Sequence, residues 1–323
     1  SDVCSSDLAR NTAIEIAEVC EVSELQEELV NLALDSSQSI HLRVSAANAI
    51  CSIGDENARL KLKPLAVEQL PEDEYDELKG YALRALWSEL LTAEELFSVL
   101  TRPKKENFFG SYRKFIDLEL VSKLQPDDLV VALNWLGNQG VRCFRHPFEK
   151  LGDQILLKAW EYFDFPGMAE GFTKITIIQL RECQQIITHN DEIQTQFASS
   201  LINNTEKRRK LIEQVVSMIS SLEEEKSPLL GSLVSTTSLQ GDVFWMLDKL
   251  QNTNSEKAQH IWSRLIQCNF NRQDVNQIDA ILLATQTNNI LQEIFASDFS
   301  PIELNRSEEH TSELQSPCNL VCR

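Results

Sequence analysis

Arg43-Val44-Ser45-Ala46-Ala47-Asn48-Ala49-Ile50 has an earlier echo in Arg10-Asn11-Thr12-Ala13-Ile14-Glu15-Ile16-Ala17. A later one follows in Lys79-Gly80-Tyr81-Ala82-Leu83-Arg84-Ala85-Leu86. The steps are 33 residues from Arg10 to Arg43 and 36 from Arg43 to Lys79. Self-similarity at that period marks stacked helical units, each too small to bury its own apolar face. Ala46, Ala47 and Ala49 let neighbouring helices approach closely, and Arg43 is placed to reach polar groups of an adjacent turn.

Working outward, Ser23-Glu24-Leu25-Gln26 fits a capping box ahead of the stripe Leu25, Leu29, Leu32, Leu34. The next helix is expected from Ile40 to Ile53, closed by a left-handed cap at Gly54. Pro64 should start or kink the helix read over 57–69. Glu72-Asp73-Glu74 places negative charge at the head of a helix over 75–87, complementing its dipole. Past Leu100 the repeat dissolves. Helices are expected at Tyr112–Leu124 and Pro126–Trp135, with irregular chain over Gly137–Pro147. Further helices are expected around 154–163, 175–187, 193–202, 208–222, 243–250, 258–268 and 278–294. Asn203-Asn204 and Ser227-Pro228 read as breaks.

Composition agrees with a helical chain. Ten glycines and nine prolines in 323 residues are sparse for a chain of tight β-turns. No run approaches the length of a membrane-spanning helix. The net charge is −19, and residues 9–100 alone carry 18 acids against 7 bases. A field of that sign disfavours duplex nucleic acid and anionic lipid. Cys20, Cys51, Cys143, Cys183 and Cys268 are widely spaced, without Cys-x-x-Cys, and most of them read as buried apolar thiols in a reducing cytoplasm.

Two resemblances follow from these residues. Leu42 to Ile50, with Ile53-Gly54-Asp55, resembles the second helix of a HEAT-like repeat. Asp76 to Trp87, with Leu91-Thr92-Ala93-Glu94-Glu95-Leu96, is similar to the helical region beside the nucleotide-binding module of bacterial NACHT-type (STAND) NTPases. No Gly-x-x-x-x-Gly-Lys-Ser/Thr loop occurs, so no nucleotide-binding residue carries over. Ser1–Leu8 and Arg306–Arg323 resemble translated sequencing adapters, and both are set aside as foreign, leaving a fragment. The expected organisation is therefore 1–8 foreign, 9–100 HEAT-like repeats, 101–301 degenerate repeats or an α-helical cap, and 302–323 foreign or disordered tail.

One segment stands out as a binding candidate. Arg102, Lys104, Lys105, Arg113 and Lys114 face only Glu106 within it, a net +4, interleaved with Phe108, Phe109, Tyr112 and Phe115. Basic groups neutralise phosphate while aromatic faces stack on bases or cover side chains. The competing reading is a loop whose aromatics plug the core. Lys207-Arg208-Arg209-Lys210 points in four directions around a helix and reads as solvated. Cys143-x-x-His146 lacks a second ligand pair for zinc. The aromatics between Trp135 and Phe172 read as core where the repeat changes type. No Gly-x-Ser-x-Gly elbow supports catalysis.

The expectation is an all-α, HEAT-like solenoid without catalytic residues or cofactors. By resemblance it is the recognition or regulatory arm of a cytoplasmic STAND NTPase, of the kind associated with phage defence. Its partner is then a protein or the NTPase domain of its own chain, with an anionic ligand at the basic segment. A free-standing adaptor is the alternative. An enzyme with its site in the second half is a third class, for which no residue argues.

Overall fold

The computed structural model describes residues 2–105, 109–139, 148–187, 190–219, 228–237 and 241–299, with side chains from residue 7 onward. It is all-helical over the described residues, which contain no strand. The chain divides into two compact units, 1–172 and 173–323.

The first unit comprises α1 (Asp2–Val19), α2 (Gln26–Leu34), α3 (Ile40–Ile53), α4 (Glu56–Leu60), α5 (Lys63–Val67), α6 (Glu77–Leu86) and α7 (Ala93–Val99). They are followed by α8 (Ser111–Lys114), a π-helical turn at Phe115–Glu119, α9 (Leu120–Lys123), α10 (Pro126–Gln139) and α11 (Glu149–Glu161). The three echoing motifs fall on α1, α3 and α6, and α3 packs on both of the others. α2 packs on α3 and α5 on α6.

The boundaries of α3 are those read from the sequence. Its Ala46, Ala47, Ala49 and Ile50 are completely buried. Gly54 has ordinary extended dihedrals, φ −68° and ψ 138°, so the left-handed cap is corrected. The capping box at Ser23 is also corrected. Ser23–Leu25 is a 3₁₀ turn without a side-chain cap, because Gln26 is used elsewhere. Its amide oxygen accepts from the Asp55 N–H at 3.0 Å, and its Nε2 donates to Asp55 at 2.9 Å. A capping box does form at Thr92 and Glu95, ahead of α7. Pro64 sits in the first turn of α5, splitting the expected 57–69 helix in two.

Gly80 makes the α6–α8 crossing possible. A Cβ there would overlap the backbone of Ser111 and Tyr112, so any side chain would push α8 away. α10 runs on through Gly137 to Gln139, correcting the irregular stretch there; residues 140–147 lie outside the described ones. The aromatic cluster is core: Trp160, Phe163 and Phe172 meet with ring centroids 5.1–5.7 Å apart, and Trp135 contacts Phe97 and Phe148. Tyr162 is exposed, and Phe144 lies outside the described residues.

The boundary between the units falls within α12 (Met168–Cys183). The second unit continues with α13 (Asp191–Asn203), α14 (Thr205–Met218), α15 (Pro228–Thr237), α16 (Asp242–Gln251), α17 (Glu256–Asn269), α18 (Val275–Thr285) and α19 (Asn289–Phe295). α15 is not among the expected helices; it begins at the expected break, where Pro228 occupies a first-turn position whose missing N–H costs nothing, and Ser227 lies outside the described residues. The expected 278–294 helix is two, because Asn288 accepts from the Leu291 N–H and starts a new one. Asn204 likewise caps α14. The expectation of buried thiols also fails: Cys20 and Cys268 are exposed, Cys51 and Cys183 partly so. Among the described residues no helix is long and apolar enough to cross a membrane.

Candidate functional site

The basic-aromatic segment lies against the N-terminal end of α6. Asp76 has left-handed dihedrals, φ 55° and ψ 29°, a conformation that aspartate tolerates better than most residues. The preceding turn lets Asp73 accept from the Glu77 N–H at 2.9 Å and the Lys79 N–H at 3.2 Å. Glu72-Asp73-Glu74 is thus more than solvated charge: Asp73 serves the helix start, Glu72 pairs with Arg43 and Glu74 with Lys105.

Lys104 turns inward. Its N–H donates to Asp76 at 2.9 Å, and its ammonium donates to the Leu70 and Asp73 carbonyls at 2.7 Å each. Tyr112 is fully buried, and its hydroxyl donates to the Thr101 carbonyl, so its ring is not offered to a ligand. Burial pushes the Tyr112 phenol and the Asp73 carboxyl up, and pushes the Lys79 ammonium down. Lys79 donates to the Val99 carbonyl at 2.8 Å and to Thr101 at 2.7 Å. Leu65, Leu70, Asp73, Asp76, Lys79 and Lys104 surround a cleft of about 60 Å³. That is room for a few water molecules and far too little for a nucleotide.

The outer cations are half-exposed and paired. Lys105 meets Glu74 at 3.3 Å, Arg113 meets Asp117 at 3.2 Å, and Lys114 meets Glu119 at 3.7 Å. Arg102 is exposed, as is Phe109, over whose ring the Arg113 guanidinium lies at 5.7 Å. Phe108 and Glu106 lie outside the described residues. The sequence window counted only Glu106 against these cations. Asp76 and Glu74 from the turn before α6, with Asp117 and Glu119 just past the window, supply the missing negative charge.

Lys207–Lys210 is corrected more sharply. Arg208 is 2% exposed, and its guanidinium meets Asp242, also 2% exposed, at 2.9 Å. It also donates to the Leu201 carbonyl at 2.8 Å. Arg209 meets the same carboxylate at 3.1 Å and lies over the Trp245 ring. No run of charges reveals this; the acid stands 34 residues away. Cys143 and His146 lie outside the described residues, among which no group of His, Cys, Asp or Glu gathers as metal ligands. Compared with known protein families, curated proteins and solved structures, the chain matches none.

Proposed function

We propose that the chain is a noncatalytic, HEAT-like helical-repeat arm whose exposed side chains recognise a protein partner. The observation that carries this reading is the spacing of side-chain bonds between segments about one repeat apart. Ser45 donates to Asn11, Asn48 to Glu18 and Lys61 to Glu27, across 34, 30 and 34 residues. Arg43 reaches Glu72, Arg84 reaches Glu119 and Lys158 reaches the Val121 carbonyl, across 29, 35 and 37. These links, all within the first unit, recur at close to the sequence period, which supports a stack of repeats there.

Such a stack recognises partners by extended contact and charge. The −11 over residues 9–100 selects a basic or polar protein surface and repels phosphate backbones. The resemblance of Asp76–Leu96 supports a cytoplasmic STAND NTPase as the parent, with its nucleotide-binding module as partner and phage defence as the setting. Binding of a trigger would then shift the packing of the arm on that module. The test is calorimetric titration of the chain against the nucleotide-binding module of such an NTPase. Saturable binding that weakens in about 0.5 M salt is expected, because exposed charges are screened there. Absence of any heat of binding overturns the NTPase reading.

A further inference from the structure

The second unit contains a groove that the protein-recognition reading does not use. It encloses about 530 Å³ between α13, the chain that follows α12 and the end of α15. Small-molecule sites span roughly 300–1,000 Å³, so the space suits a ligand rather than a few waters. α12 ends at Cys183, and Gln184 takes a left-handed φ of 59° that residues other than glycine rarely adopt. The chain then runs beside α13, where Gln194 Nε2 donates to Gln185 Oε1 at 3.1 Å. Ile186, Ile187, Phe197 and Leu201 form the apolar part of the lining, each at most 4% exposed.

The polar part of the lining decides the chemistry of the ligand. Among the described residues that line the groove none is charged, in a chain of which 24% is charged. An ionic ligand would lose hydration there without gaining a counter-charge. Four hydroxyls line the groove, and each directs its proton into its own helix. Thr195 donates to the Asp191 carbonyl, Ser199 to that of Thr195, and Ser235 and Thr236 both to that of Ser232, at 2.7–3.0 Å. A hydroxyl has one proton and two lone pairs, so these oxygens remain as acceptors.

We infer that this groove is a binding site for a small neutral molecule with an apolar body and N–H or O–H donors. The body covers the two isoleucines and Phe197, while the donors meet the hydroxyl oxygens of α13 and α15. The inference goes beyond the protein-recognition reading and does not rest on it.

Octanamide, octanoate and N,N-dimethyloctanamide share one tail and separate the alternatives. At neutral pH octanoate is charged, and the dimethyl amide has no donor. In an NMR titration of the full chain, octanamide should give saturable shifts of amides in α13 and α15. Octanoate and the dimethyl amide should each bind at least about tenfold more weakly. Thr195 and Ala198 are exposed lining residues one turn apart on α13, so a larger side chain at either fills the groove from its open side. Ala198→Trp and Thr195→Trp should each abolish the octanamide shifts while leaving the α17 amides unmoved. The proposal is overturned if octanamide shifts neither α13 nor α15, as it would were the groove filled by the chain itself. It is also overturned if octanoate or the dimethyl amide binds as tightly as octanamide, or if the shifts persist in both Trp variants.

Discussion

Arg43 in the first unit and Arg208 in the second are both buried arginines that bond a backbone carbonyl of the preceding helix and an acid about one repeat further on. They differ in the acid. Glu72 keeps 42% of its side chain exposed, whereas Asp242 keeps 2% and accepts from Arg208 and Arg209 together. A half-wet carboxylate loses little hydration and returns to water if its partner leaves. A dry one has no such retreat. The same chemical link is therefore a modest clamp in one unit and a point of failure in the other.

The largest effect should come from breaking the dry pair. Asp242→Ala leaves the buried Arg208 guanidinium, and Arg209 beside it, without their acid, and unfolding in urea should register a loss of about 3–5 kcal/mol. Replacing Arg208 by Met and Asp242 by Leu together should recover much of that loss, because no fully buried charge is then stranded and the Arg209 guanidinium, 34% exposed, turns to water. If the double variant is no better than the single one, the pair is not what makes Asp242 costly to remove.

Arg43→Met should cost less, about 2 kcal/mol, through the orphaned Ala33 carbonyl and the lost Glu72 bond. A sharper readout is the Glu72 carboxyl, which the Arg43 hydrogen bond chiefly holds below the usual range. Its titration, followed by NMR, should move up toward an ordinary glutamate in the variant. An unchanged Glu72 curve would mean that the bond is not formed in solution.

Acid gives a smaller, pH-dependent handle on the same unit. Asp35 is held down to about 2, first by the Ser37 and Gln38 side chains. Asp55 and Glu95 are also held low, by the Ala58 N–H and by Lys63 respectively. Groups depressed on folding stabilise above their unfolded values and lose that contribution as pH falls through the folded ones. For Asp35 the window runs from 3.8 down to about 2. Asp73 works in the opposite sense, since burial raises it and proton uptake favours the fold. Asp35→Asn should flatten the acid limb of a pH–stability curve in that window; an unaltered limb would show that its hydrogen bonds are not retained.

These contrasts mark how far the sequence could be read. Periodic apolar patterning exposed α3 to the residue, and the Ala-rich recurrence named the helices that pack side by side. Local chemistry misled where one residue type has two uses. Pro228 marks a break in the sequence pattern but does not reveal that it opens α15, and Ser23 fits a cap although Gln26 is committed to Asp55. Partners about 30 residues away were illegible. The Lys207–Lys210 run looked solvated because Asp242 is remote, and the basic segment looked unneutralised because Glu74, Asp76, Asp117 and Glu119 fall outside its window.

Within that segment, Lys105 supplies the smallest expected effect. Charge counting alone treats Lys104 and Lys105 as equals, both solvated and both dispensable to folding. The structure separates them. Lys104 holds two carbonyls and Asp76, so Lys104→Glu sets a carboxylate against three oxygen acceptors and should cost about 1–3 kcal/mol. Lys105 is 48% exposed and meets Glu74 at the surface, so Lys105→Glu should change stability by no more than about 0.5 kcal/mol. A loss of binding to an anionic partner in the joint variant would therefore confound folding with recognition. Lys105→Glu with Lys114→Glu is the cleaner pair, since Lys114 is 54% exposed and meets Glu119 only at 3.7 Å. With folding intact, weakened binding to polyphosphate at low salt would place an anion site on this rim. Unchanged binding would leave the segment as the brace that holds the start of α6.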